Sequence, residues 1–122
     1  MEDVAPAPEL EQTGKIPLPL VKICEKAMER EGPETIAAMF VEPVQGAGGV
    51  IIPPPGYLKG LRELCRRHSI LFVADEVITG FGRLGEWFAS QLWDLDPDLM
   101  TTAKAVTSGY QPLSALFVRD EI

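Results

Sequence analysis

Hydrophobic and polar positions along this chain fall into two rhythms, one of helical period and one of short unbroken apolar runs. Over residues 18–31, Leu20, Ile23, Cys24, Ala27 and Met28 recur at helical spacing, with Lys22, Glu25, Lys26 and Glu29 opposite. That spacing predicts an amphipathic helix, stopped by Gly32-Pro33. A second helix is expected over 56–68. There Leu58, Leu61, Leu64 and Cys65 form the apolar face, Lys59, Arg62, Glu63 and Arg66 the polar one, and Arg66, Arg67 and His68 suit the negative end of the helix dipole. Four short apolar runs, 36–41, 70–74, 99–103 and 113–118, read as strands. The first, IAAMFV, shows no alternation, as expected of a strand buried on both faces of a parallel sheet. Residues 86–93 suggest one further short helix, with Trp87, Phe88 and Trp93 as core or interface packing.

The connections set the strand directions. Between the first two strands lies a crossover containing a helix, so these strands should be parallel. The third follows as another parallel neighbour. Only eight residues, 105–112, separate it from the fourth. That is too short for a helical crossover, so the fourth strand should run antiparallel. The expected class is α/β, a mostly parallel sheet with one antiparallel strand, formed by 18–122. Residues 1–17, rich in proline and acid, read as a loop or disordered lead-in.

Composition narrows the partners more than the fold. The chain has 122 residues, 46% of them hydrophobic, and a net charge of −7. The acidity argues against nucleic acid or an anionic membrane surface, and no apolar run is long enough to span a bilayer. The basic cluster Arg62, Arg66, Arg67 and His68 reads as a solvated helix face. Two cysteines, no CxxC and one histidine speak against a zinc site. Cys24 and Cys65 are expected to be free thiols, and the acidic N-terminus has no signal-peptide h-region, so a cytoplasmic setting is expected.

Candidate chemistry lies where the strands run out. The first stops at Glu42, the second at Asp75-Glu76, the third at Lys104. In an open α/β sheet, ligands bind outside the carboxyl ends of the strands. Glu76, one residue beyond Asp75 in an extended chain, should face away from it, toward solvent or behind the site. Gly46, Gly48 and Gly49 match neither phosphate-binding glycine pattern and read as turn residues. An amine beside a carboxylate in a half-buried cleft suits a Schiff base with a carbonyl cofactor. Pyridoxal phosphate needs these two parts, a lysine for its aldehyde and an acid facing its ring nitrogen.

Three motifs carry a resemblance as well: EPVQGAGGV at 42–50, DEVITGFGR at 75–83 and TTAKAVTSGY at 101–110. Together they resemble the class III (omega-type) pyridoxal-phosphate-dependent aminotransferases over about residues 34–122. The resemblance implies part of a three-layer, fold-type-I large domain. It implies Lys104 as the Schiff-base lysine, Asp75 facing the pyridine nitrogen, Val77 packing on the ring and Glu42 as a carboxylate supporting the cofactor site. It also implies a small-molecule amino donor, an oxo-acid acceptor and a homodimeric full-length enzyme. Leu84, Ser69 and Ser114 depart mildly from the family pattern. The family's phosphate-binding loop, the aromatic residue over the ring, the threonine that reaches a partner's phosphate and the small C-terminal domain are not found. The chain therefore resembles the middle of such an enzyme and is expected to be inactive alone. Aminomutases and decarboxylases sharing these motifs, or a non-catalytic fragment that needs a partner, are the other readings.

Overall fold

The computed structural model describes residues 18–122, so the expected lead-in over 1–17 lies outside the described residues. In chain order the elements are helix α1 (Leu18–Glu31), strand β1 (Ala38–Val41), helix α2 (Tyr57–Arg67), strand β2 (Leu71–Asp75), the single turn of helix α3 (Ala89–Leu92), and strands β3 (Leu99–Thr102) and β4 (Ala115–Val118). The four strands form one sheet in the order β1-β2-β3-β4. β1 and β2 are parallel, with Ala38 opposite Leu71; β2 and β3 are parallel, with Asp75 opposite Thr101; β3 and β4 are antiparallel, with Thr102 opposite Ala115. All three directions are those expected from the sequence, the first and third from the nature of their connections.

One apolar core lies between the helices and the sheet. Val21 and Met28 of α1, Leu58, Leu61, Leu64 and Cys65 of α2, and Phe72 of β2 meet there with Ile70 and Leu95. Burial of a side chain such as Leu64 or Phe72 stabilises by about 1.5–3 kcal/mol, and both are fully buried. α2 presents the face its periodicity predicts. Burial pushes the Cys65 thiol up to about 11. Burial and a 3.7 Å contact with the Cys24 thiol push the Tyr57 hydroxyl up to about 12. Both groups therefore stay protonated at neutral pH. Cys24 and Cys65 are free, as expected.

Four expectations fail for identifiable reasons. α1 is rotated from its predicted stripe: Val21 and Met28 are buried, while Leu20 and Ile23 are exposed. The helix has apolar residues on more than one side, and contact with α2 selects the Val21–Met28 side. β1 is not buried on both faces; it lies at the sheet edge among the described residues, and Phe40 is 70% exposed. The doubly buried strand is β2, whose Phe72, Val73 and Ala74 are all inaccessible. The short helix over 86–93 shrinks to Ala89–Leu92, and Trp87 stands exposed in the preceding loop.

The basic face of α2 is the fourth failure, because it is tied down by acids. Arg62 is only 5% exposed. Its two terminal nitrogens donate to the two carboxylate oxygens of Asp98 at 2.7 and 2.9 Å, a bidentate pair. Asp98 also accepts from the Phe72 backbone N–H at 2.8 Å. Arg66 pairs with Asp96 at 2.8 Å and Arg67 with Glu25 at 2.5 Å, and Arg119, just past β4, reaches the Asp96 carboxylate. This network locks α2 to the end of the sheet where β2 and β3 begin.

Candidate active site

The opposite end of the sheet, where β1, β2 and β3 finish, carries Glu42, Asp75 and Lys104. Asp75 closes β2 and is half-buried. Its Oδ1 accepts from the Val77 backbone N–H at 3.1 Å, so the carboxylate turns the chain that follows it. Among the described residues its Oδ2 accepts no hydrogen bond. The half-buried Val77 is placed by that same turn.

Lys104 stands two residues beyond β3. It is exposed and opens a 3-10 turn over Lys104–Val106. Its φ is 45°, in the left-handed region that non-glycine residues occupy only at a cost. Its side chain lines an open depression of about 650 Å³ with Ala103, Gly109, Gln111, Pro112, Leu113 and Ser114. Asp75 is not part of that lining. It sits on the adjacent strand, opposite Thr101. The two residues are thus one strand spacing, about 4.8 Å, and three residues of chain, at most about 11 Å, apart along the backbone. Lys104 and Asp75 make no ion pair with each other or with any other described residue.

Glu42 has a local task. Its Oε2 accepts from the Gly46 backbone N–H at 3.0 Å and so holds the turn after β1. That turn closes as a small hairpin with Gln45 bridged to Ile51. A β-carbon on Gly46 would lie 2.2 Å from the terminal methyl of Ile78, so this turn lies against the one after Asp75 and a side chain here would make Ile78 shift. Glu42 and Asp75 therefore belong to two loops in contact, although no hydrogen bond joins their side chains.

Of the two readings of Glu76, toward solvent or behind the site, burial excludes the first. Glu76 points away from Asp75 and is fully buried. Its Oε1 accepts from Ser90 N and Ser90 Oγ, both at 2.6 Å; its Oε2 accepts from Thr79 Oγ1 at 2.6 Å and Ala89 N at 2.8 Å. Sequence alone gave no sign of this clamp, because three of its four donors, from Ala89 and Ser90, arrive from a helix start more than ten residues away. The loop it anchors carries Phe81 and Phe88 in edge-to-face contact at 5.4 Å, with Phe88 on Phe117 of β4 at 5.7 Å. Among the described residues no group of acids, histidines and cysteines could hold a metal ion.

The donor set fits pyridoxal phosphate. A primary amine on a strained residue borders a depression of suitable size, and a half-buried carboxylate with one oxygen free of protein donors ends the neighbouring strand.

Comparison with known proteins agrees. The family model for aminotransferase class-III matches residues 7–122. The chain is 55% identical over 98 residues to a putrescine–pyruvate aminotransferase of Pseudomonas aeruginosa, covering 80% of this chain and 22% of that protein. It is 51% identical over 98 residues to a probable gamma-aminobutyrate transaminase 4 of Oryza sativa, covering 80% of this chain and 20% of that protein. A transaminase structure from the marine bacterium Virgibacillus superposes with a TM-score of 0.84 at 56% identity, over 88% of this chain and 24% of that one. An (S)-enantioselective omega-transaminase from Thermomicrobium roseum gives 0.83 at 52% identity, over 85% and 23%. The chain thus spans about a fifth of the length of the curated relatives it matches. Its sheet is part of the fold-type-I architecture of those transaminases, as the sequence motifs implied. Sequence, sheet topology and site chemistry converge, and the chain belongs to the pyridoxal-phosphate-dependent class III aminotransferase family.

Proposed function

We propose that this chain is the central part of the large domain of an aminotransferase, one that moves an amino group from an amine or amino acid to an oxo acid. The observation that carries the reading is the placement of Lys104 and Asp75 at the carboxyl ends of adjacent parallel strands, with Lys104 held in the left-handed region beside an open depression.

When bound, pyridoxal phosphate supplies an electron sink for negative charge developing on the substrate carbon next to nitrogen. Lys104 holds the cofactor's aldehyde through Nζ. The same Nζ would be the group that moves a proton at the substrate carbon. Asp75 holds a proton at the ring nitrogen, since a nearby carboxylate favours the charged form of that nitrogen. Val77 offers apolar surface to the ring. Glu42 acts at one remove, by holding the Gly46 turn against the turn that follows Asp75.

Relatives named for putrescine and gamma-aminobutyrate support a donor whose amine sits at the end of an unbranched carbon chain, and the first of them supports pyruvate as acceptor. The whole protein is proposed to act as a cytoplasmic homodimer. The free thiols Cys24 and Cys65 support a reducing compartment. The exposed apolar side chains Phe40, Val50, Ile52 and Leu116 supply surface that further chain or a partner would cover. No helix among the described residues is long and apolar enough to cross a membrane.

The test is alanine formation from pyruvate with putrescine or gamma-aminobutyrate as donor. In the full-length protein that contains this chain, the wild type should transfer the amino group and Lys104→Ala should not. Full transfer by Lys104→Ala would overturn the reading.

A further inference from the structure

We infer that Glu76 is a positioning residue for this site, holding Asp75 and Val77 toward the cofactor through the buried clamp it makes with Thr79, Ala89 and Ser90. The inference rests on the reading of Asp75 as the partner of the ring nitrogen and extends it to a residue that touches neither cofactor nor substrate.

Every polar atom of Glu76 is used. Its backbone N–H donates to Thr101 O at 2.8 Å, carrying the β2–β3 ladder one residue beyond the strand, and its carbonyl accepts from Gly80 N at 2.9 Å. A β-carbon at Gly80 would lie 2.9 Å from that carbonyl, so the chain passes as near as glycine allows. The side chain takes four further hydrogen bonds, two on each oxygen. Successive residues of an extended chain point to opposite sides. With Glu76 fixed on one side at the end of β2, Asp75 is held on the other, and Val77, in the turn that the Gly80 N–H closes onto the Glu76 carbonyl, brings its own N–H to Asp75 Oδ1. The backbone on which Asp75 sits is pinned by β3 on one side and by the clamp on the other.

The start of α3 is where this arrangement differs from ordinary helix capping. The cap position is Phe88, whose side chain cannot accept a hydrogen bond from the first N–H groups. Those of Ala89 and Ser90 donate to Glu76 instead, so the helix start is joined to the residue after Asp75. Only a carboxylate suits the position. Each oxygen meets a backbone N–H, which cannot reverse its polarity, so the NH2 of a glutamine would face a donor whichever way it turned.

The test compares Glu76→Gln, Ser90→Ala and Thr79→Val with wild type in the cofactor-loaded protein. Three quantities are read: the dissociation constant for pyridoxal phosphate, the pH midpoint of the bound cofactor's visible absorbance, and the melting temperature. Leaving buried donors unsatisfied in Glu76→Gln should weaken cofactor binding about tenfold or more. Loosening Asp75 should also move the pH midpoint by at least about half a unit. Ser90→Ala and Thr79→Val each remove one hydroxyl donor and should shift both quantities less. A purely structural role would lower the melting temperature and leave the dissociation constant and midpoint of the folded protein unchanged, and that result overturns the inference. If Glu76→Gln does not fold, the two hydroxyl variants decide in the same way. Borohydride reduction of the wild type separates the two levels. No adduct on Lys104 would overturn the site and the inference together, whereas an adduct on Lys104 with unmoved variants would overturn the role of Glu76 alone.

Discussion

The two ends of the sheet treat their charged groups in opposite ways. Where β2 and β3 begin, Arg62, Asp98, Arg66, Asp96 and Arg119 are joined in one network, its centre a buried bidentate pair. Where β2 and β3 end, Asp75 and Lys104 make no ion pair with any described residue, and Lys104 sits in a backbone conformation that costs energy. The first arrangement satisfies charge within the protein and ties helix to sheet. The second leaves an acid and an amine available to something that is not protein. Unpaired charge gathers where a protein does chemistry, and paired charge where it holds itself together; left-handed backbone does not separate the two ends, since Asp96 of the network has a φ of 48° and Lys104 one of 45°.

The largest effect should come from breaking the paired end. Asp98→Ala leaves Arg62 buried without its partner and should cost about 3–5 kcal/mol, read as a lower urea midpoint at unchanged slope. A loss below about 1 kcal/mol, the range of an exposed pair, would erase the distinction between the two ends. Asp75→Asn is the matching change at the other end. The amide oxygen can still accept from Val77 N–H, so stability should move by less than about 1 kcal/mol. Cofactor retention after dialysis should nevertheless fall at least about tenfold, since an amide cannot hold charge at the ring nitrogen.

Lys104 sharpens the comparison further. Lys104→Gly and Lys104→Ala should both lose cofactor attachment, but glycine accepts the left-handed conformation. The glycine variant should be the more stable of the two by about 1 kcal/mol, read by thermal unfolding. Equal stability would mean that no strain is stored at the lysine.

The smallest effect depends on pH. The hydrogen bond from Arg119, with the charges of Arg119, Arg62 and Arg66, holds the Asp96 carboxyl below its ordinary value of 3.8. A depressed folded value gives stability that is present above the unfolded value and lost as pH falls through the folded one. Wild type should therefore melt slightly above Asp96→Asn at neutral pH, and the gap should close as the pH drops below about 4. A gap that is constant with pH would remove the charge from the explanation.

Much of this contrast was legible in the sequence at one end and almost none at the other. Asp75 and Lys104 could be found because each follows an apolar run that reads as a strand of one parallel sheet. The face of α2 was legible because Leu58, Leu61, Leu64 and Cys65 repeat without ambiguity. The burial of Arg62 was hidden because its partner, Asp98, lies 36 residues away, and an arginine among charged neighbours reads as solvated. The clamp on Glu76 was hidden for the same reason, since Ala89 and Ser90, which supply three of its four donors, lie beyond an irregular loop. The edge position of β1 and the rotation of α1 depend on what packs against them, which periodicity does not encode. The left-handed φ of Lys104 leaves no trace in residue type.

The most direct test of the central claim is covalent. The chain has five lysines, Lys15, Lys22, Lys26, Lys59 and Lys104. The protein is mixed with limiting pyridoxal phosphate, reduced with borohydride and mapped by mass spectrometry, with Lys104→Ala as control. A site formed at the ends of β2 and β3 predicts label on Lys104 and its loss in the control. Label spread evenly over the five lysines, or unchanged by the substitution, would contradict it.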